Sequence, residues 1–269
     1  MIHVIVVTHN SSDELPTCLA HLDRQSVPLD SLTVVDSGSA ERSYLEQLTH
    51  RSRTKLILAE NIGYGRGNNL GYQAIAPAGG MVVFLNPDTF LPPDYLAQAL
   101  VVMQENPTAA VISGKLLGFD PATMVPTGTI DSTGIFRSWY GRWYDRGQGE
   151  PDRGQYPLIE SVPAVCGALF CCRAEALEQL SGQIFDPDFF LYKEDIELSL
   201  RLRAAGWQLI YHPRMVAYHC RGWKKSRREI PYHLRVTAAR NELLLYRKHP
   251  SPYIGWAWLK ASIVRWLRW

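Results

Sequence analysis

The 269-residue sequence contains no run of about 20 uncharged apolar residues, so no segment reads as a transmembrane helix. Its five cysteines, Cys18, Cys166, Cys171, Cys172 and Cys220, form no Cys-x-x-Cys pair, and their odd number argues against a secreted disulfide framework. A reducing, cytoplasmic setting is the expectation. The apolar run at residues 2–7 is short, lacks a basic leader and meets Thr8-His9-Asn10, so it does not read as a secretion signal. Internal repeats and low-complexity tracts are absent. The glycines of residues 61–71 fit neither Gly-x-Gly-x-x-Gly nor the phosphate-loop spacing, because Asn68 stands three places after Gly65 and no Lys follows. That spacing disfavours a hydride-transfer enzyme.

What is present is ordinary globular composition, 46% hydrophobic and 20% charged, and enough length for one large core or two small ones, a single domain with an appendage being the first expectation. The formal net charge of +2 conceals an asymmetry. Residues 1–220 carry 16 Lys and Arg against 24 Asp and Glu, whereas residues 221–269 carry 12 against 2. An acidic body with a basic tail points the tail toward phosphate, whether a lipid headgroup, a lipid diphosphate or nucleic acid. The tail has no recognisable nucleic-acid reader and the acidic body opposes a polyanion, so no nucleic-acid partner is expected.

The first half alternates strand and helix. Strands are expected at residues 2–7, 32–35, 55–59 and 81–85, with a further short one near Val111. A capping box of Ser11 and Glu14 opens a helix bearing Leu15, Cys18, Leu19 and Leu22 on one face, and another helix runs from about Pro93 to Glu105. Residues 61–71 read as a flexible Gly- and Asn-rich loop. Such βα units imply a mostly parallel sheet with ligands at the carboxyl ends of its strands, where Thr8, Asp36, Asn61 and Asp88 fall. Residues 114–163 read as hairpins and loops on an acceptor side. Helical pattern returns near 173–180 and 194–205, followed by a strand at 207–211.

Each polar residue at these ends admits two readings. Asp36 either closes an Asx-turn or accepts hydrogen bonds from a base or ribose. Arg66 is either a solvated turn residue or a guanidinium for a nucleotide diphosphate. Asp88, in Asn86-Pro87-Asp88, is either a turn former or a ligand for a hard divalent cation, magnesium or manganese. His219 gains meaning only beside Asp88 and Asp195, since no second ligand pair supports zinc. Glu194, Asp195 and Glu197 suit a helix N-terminus, yet capping does not require the aromatic and acidic cluster at 186–190 before them.

Taken in order, the segments 4–10, 34–39, 60–69, 84–88, 166–168, 192–197, Gly206-Trp207 and His219 resemble family 2 glycosyltransferases of the GT-A fold, in the rhamnosyltransferase-like branch. The resemblance covers roughly residues 2–222 and continues through Arg240-Asn241. It implies an α/β fold with a mostly parallel, Rossmann-like central sheet flanked by helices. Residues 1–222 would be the catalytic domain, with a nucleotide-sugar half to about 113 and an acceptor half from 114, and residues 223–269 a basic, Trp-rich helical extension. Implied site residues are Thr8, His9, Asp36, Asn61, Arg66 and Asn69 toward the nucleotide, and Gly167 and Ala168 at the sugar pocket. Asp88 and His219 would serve the metal, and Asp195 within the Glu194-Asp195 pair would be the general base. Asn86 replaces the first Asp of the family's Asp-x-Asp motif, removing one negative charge from the metal site; the Asn-Pro-Asp form is familiar in this branch. The implied reaction is inverting transfer from a nucleotide-diphosphate sugar, dTDP-rhamnose or a UDP-hexose, to a glycan or lipid-linked saccharide. A non-catalytic carbohydrate-binding protein would explain the aromatic middle but not the three strand-end and helix-entry acids.

The tail segment 254–269 carries Trp256, Trp258, Trp266 and Trp269. On a helical projection Lys260, Arg265 and Arg268 oppose Leu259 and Ile263, as in a helix lying on an anionic membrane, here the inner face of the plasma membrane. Arg221, Lys224, Lys225, Arg227 and Arg228 add charge. The competing expectation is a helix packed on the catalytic domain or on another subunit.

Overall fold

A computed structural model describes residues 1–180, 183–220 and 230–267. Strands β1 (Ile2–Thr8), β2 (Ser31–Ser37), β3 (Thr54–Ala59) and β4 (Met81–Leu85) alternate with helices α1 (Leu15–Asp23) and α2 (Tyr64–Ile75). The two-residue β5 (Thr89–Phe90) and helix α3 (Tyr95–Glu105) follow. Next come β6 (Ala109–Asp120), β7 (Val125–Ser132), β8 (Ile135–Arg137), β9 (Trp143–Asp145), β10 (Glu160–Ser161) and β11 (Leu169–Arg173). The remaining elements are α4 (Ala174–Glu178), α5 (Glu194–Ala204), β12 (Gln208–His219), α6 (Tyr232–Lys248) and α7 (Ile254–Leu267).

The main sheet runs β10-β12-β6-β11-β4-β1-β2-β3. Strands β4, β1, β2 and β3 are mutually parallel, as are β6 and β12, while β11 is antiparallel to both its neighbours. All residues of β1 and β4 are buried, because helices cover both faces, and this is why they read as unbroken apolar runs. The reversed β11 positions the site. Its first residue, Leu169, pairs with Leu85 at the end of β4, so Gly167 and Ala168 sit beside Asn86, whose N–H donates to Ala168 O at 2.8 Å.

Three local expectations are corrected. Residues 64–75 are helix α2, not a loop: a Cβ at Gly67 would lie 2.8 Å from Val7 Cγ1 and one at Gly71 would lie 2.6 Å from Ile5 Cγ2. The glycines are there because α2 lies against β1 too closely for side chains. The capping box does not form; Ser11 Oγ donates to its neighbour His9 O, and α1 starts at Leu15 with Pro16 in its first turn. Strands β6 and β12 are each 12 residues long, not short. The sequence of β12 breaks at Pro213 because the ladder shifts register between His212 and Val216, and a bulge tolerates a proline.

The tail folds back as an α6–α7 hairpin on the body, burying Ala239, Leu245, Tyr246, Ala257 and Val264. Tyr246 OH donates to Gly141 O, and Lys260 pairs with the buried Glu242. The projected faces of α7 are not kept apart: Lys260 points inward, while Arg265 stays outside with Trp258 (52% exposed), Leu259 (55%) and Trp266 (78%). No helix among the described residues is long and apolar enough to cross a membrane. The basic cluster Arg221, Lys224, Lys225, Arg227 and Arg228 lies outside the described residues, as do Arg268, Trp269 and the expected junction at 222/223.

Candidate active site

A cleft of about 500 Å³ opens where β4, β11, β12 and α5 converge. Asp88, Gly167, Ala168, Glu194, Asp195 and His219 all line it, together with Asn86. These residues span more than 130 positions of sequence and meet because strand ends meet. The volume is within the range of small-molecule sites.

Asp195 is the second residue of α5. Its Oδ2 accepts the Gly167 N–H at 3.0 Å and its Oδ1 accepts its own helix's Ile196 N–H at 2.8 Å. Gly167 suits this approach, since a Cβ there would stand 3.3 Å from Asp195 Cβ and Oδ2, tighter than ordinary contact. Burial pushes the Asp195 carboxyl above the usual range; Lys193 pulls it down and Asp145 pushes it up. Glu194 beside it is also raised, first by burial and then by Asp195, and its Oε2 has no hydrogen-bond partner among the described residues. Two adjacent carboxyls in a shared low-dielectric setting cannot both ionise readily. Such a pair favours one ionised and one neutral carboxyl.

Opposite them, Asp88 leaves β4 through Asn86-Pro87, and the end of β12 brings His219 alongside. Cys220 N–H donates to Asp88 O at 2.9 Å, and His219 Nε2 lies 3.3 Å from Asp88 Oδ1. The other ring nitrogen, Nδ1, is 2.8 Å from Oδ2 of Asp131, a fully buried carboxylate on β7. Burial lowers the His219 pKa, but Asp88 and Asp131 outweigh it and raise the ring to about 9. Asp131 escaped the sequence reading, since nothing around Ile130-Asp131-Ser132 distinguishes it from a strand-end turn.

Asp88 and His219 could hold a divalent cation, which would have to displace the proton from His219 Nε2. Two cis ligands at magnesium or manganese distances stand about 3 Å apart, close to the observed Asp88–His219 separation. Asp131 on the far nitrogen is the outer partner that ligating histidines ordinarily have. No group of three or more His, Cys, Asp or Glu forms a closed cage among the described residues, so most positions would fall to diphosphate oxygens and water.

The remaining predicted residues lie outside the cleft. Thr8 and Asp36 are register partners at the ends of β1 and β2, and His9 Nδ1 bonds Ser37 O at 2.8 Å. Thr8 and Asp36 are fully buried, whereas His9 and Asn61 are exposed on the crest above them. Asp36 is already engaged: Arg42 Nε stands 2.8 Å from its Oδ2, and the Ser39 N–H donates to it. Arg66 and Asn69 turn away because α2 is a helix. Arg66 Nε donates to Pro187 O at 3.0 Å, and the Asn69 amide is satisfied on both sides by the Phe185 backbone. Asn69 is thus a clamp between α2 and the segment leading to Asp195. Residues missed by the sequence reading also include Tyr64, whose hydroxyl donates to Gly167 O at 2.6 Å, and Arg142 and Lys260, which line the cleft from the β8–β9 turn and from α7.

The chain is similar to several known glycosyltransferases. An N-acetylglucosaminyl-diphospho-decaprenol L-rhamnosyltransferase of Mycobacterium tuberculosis (strain H37Rv) is 25% identical over 235 residues, covering 80% of this chain and 75% of that protein. Rhamnosyltransferase WbbL of Escherichia coli (strain K12) is 23% identical over 226 residues, covering 81% and 83%. Among solved structures, GalNAc-T7 with UDP, GalNAc and Mn2+ aligns at a TM-score of 0.68 and 16% identity over 99% of this chain; the chain spans 57% of that one. Mannosyltransferase PcManGT from Pyrobaculum calidifontis, in complex with GDP-Man and Mn2+, aligns at 0.61 and 21% identity, covering 97% of this chain and 69% of that one. Both establish the fold as GT-A. The family described as Glycosyltransferase like family 2 matches residues 2–238, a span that contains every cleft residue above except Lys260. The chain belongs to that family, as a glycosyltransferase dependent on a nucleotide sugar.

Proposed function

We propose that this protein transfers a sugar, with L-rhamnose from dTDP-rhamnose the first choice, to a hydroxyl of a glycan or lipid-linked saccharide with inversion at the anomeric carbon. The observation that carries the reading is Asp195, held at 3.0 Å by Gly167 N–H and facing Asp88 and His219 across one cleft. A sugar hydroxyl is a weak nucleophile, and a positioned carboxylate that takes its proton accelerates attack by ~100- to 10,000-fold. Burial raises the basicity of Asp195 and makes it better matched to that task. Asp88 and His219 would hold a divalent cation, which supplies positive charge to the leaving diphosphate. His9 and Asn61 form the crest where the nucleoside would lie, above the buried Thr8 and Asp36.

The names of the relatives favour rhamnose as donor sugar and a diphosphate-linked saccharide as acceptor. A lipid-linked acceptor fits the tail: Trp258, Leu259 and Trp266 project outward, with exposed Arg240, Arg247 and Arg265 on the same hairpin. This is the composition of a surface that rests on an anionic membrane, on its cytoplasmic side. A panel of dTDP-, UDP- and GDP-sugars tests the donor. The purified protein with acceptor should release free nucleoside diphosphate from one of them, and NMR of the product should show the inverted anomer. Release of pyrophosphate, or retention of configuration, would overturn the reading.

A further inference from the structure

Asp195 enters the cleft from backbone that its own residues disfavour. Tyr192 and Lys193 both adopt left-handed dihedrals, with φ of 74° and 76°, and neither is glycine. Consecutive non-glycine residues in this region are uncommon and persist only where the surroundings hold them. Lys193 is the N-cap of α5, so this pair sets the angle at which the helix begins and the direction in which its second residue points.

The restraint comes from about 50 residues further along the chain. Asn241, on α6, is 4% exposed, and its Nδ2 donates to Leu191 O at 2.8 Å and to Tyr192 O at 3.0 Å. One amide nitrogen thus grips two successive carbonyls next to the strained residues. The end of α6 and the residue after it hold the same segment on both sides. Lys248 Nζ bridges Asp186 and Asp188 at 2.7 Å each, and His249 Nε2 stands 3.3 Å from Glu197 on α5. The tail therefore spans the Glu194-Asp195 pair, from residue 186 to residue 197.

We propose that Asn241 is a positioning residue for the general base: it holds the left-handed Tyr192-Lys193 backbone so that Asp195 faces the cleft. The inference rests on Asp195 being the base. It also gives one side chain of α6, Asn241, a part in placing the base. A base displaced by about 1 Å loses on the order of 100-fold in rate while the donor site is untouched.

The test measures four full-length proteins, wild type, Asn241→Ala, Asp195→Asn and the double variant, with whichever sugar nucleotide gives wild-type turnover. Leu243→Ala, which removes packing from α6 without touching the loop, serves as control. Donor-site binding is read by calorimetry with dTDP and UDP. The expected result is a roughly 100-fold lower kcat for Asn241→Ala, unchanged nucleotide affinity, near-normal kcat for Leu243→Ala, and a double variant no slower than Asp195→Asn alone. Should the alanine variant fail to fold, Asn241→Asp keeps the shape, places an acceptor against the two carbonyls and is read the same way. Wild-type turnover in the Asn241 variant, or losses that add fully to those of Asp195→Asn, would overturn the proposal and leave the base assignment standing. Undiminished turnover in Asp195→Asn would instead overturn the base assignment itself.

Discussion

Replacing Glu194 by Gln tests whether this buried carboxyl is neutral in the folded protein. The side chain is 6% exposed, its Oε2 has no hydrogen-bond partner among the described residues, and burial followed by the neighbouring Asp195 raises its pKa above the ordinary 4.5. The unfolded chain therefore gives up the Glu194 proton at lower pH than the folded chain does. Below about pH 4.5 both states carry it and the group contributes no pH dependence. From there up to the raised folded value the folded state binds the extra proton, so stability falls as pH rises, by ~1.4 kcal/mol per pH unit for one proton. Glutamine has the same shape and no proton to lose. Urea unfolding of wild type and Glu194→Gln at pH 5, 6, 7 and 8, compared at equal m-value, should show the variant gaining on wild type by about that slope at each step. Asp195 remains in both proteins but is coupled to Glu194, so the difference reports the proton that the pair loses when Glu194 is replaced. Parallel stability curves would refute the argument and mean that Glu194 is ionised in the fold.

Asp195→Asn should retain the fold and nucleotide binding while turnover falls by about 100-fold or more, measured as nucleoside diphosphate release; near-normal turnover would move the base elsewhere. Excess chelator should abolish transfer, with magnesium or manganese restoring it, and Asp88→Ala should weaken Mn2+ binding followed by electron paramagnetic resonance. Asp131→Asn should weaken the same Mn2+ signal by about 10- to 100-fold, because His219 loses the carboxylate that orients its ring; unchanged affinity would make Asp131 purely structural. Full-length protein should sediment with anionic vesicles, less so at high salt, and Trp258→Ser with Trp266→Ser should reduce the sedimented fraction without loss of fold. Point variants are the appropriate probe here. A truncation near Pro250 would remove Lys260 and leave Glu242 buried without its ion pair, at a cost of ~3–5 kcal/mol.

Much of residues 1–113 was legible in the sequence because its determinants are local. A strand buried on both faces must be an apolar run, and the chain must turn at its end, so residues 2–7, 32–35 and 81–85 revealed both their strands and the positions of Thr8, Asp36 and Asp88. The amphipathic helix beginning at Glu194 was legible for the same reason, and with it the carboxylate pair at its entry. Tertiary structure decided whatever depends on a distant partner. The glycines of α2 resemble a loop until β1 is seen against them, and Pro213 ends a strand on paper because the bulge that tolerates it belongs to the pairing with β6. Lys260 belongs to the polar arc of an isolated helix, but Glu242 draws it inward and leaves Leu259 outside. Asp131 carries no sequence signal, and Asn241 is legible only as the end of the family resemblance, without any sign of what it touches. One acquires its role from a histidine 88 residues away, the other from carbonyls 49 and 50 residues away, and only the folded chain brings those groups within hydrogen-bonding distance.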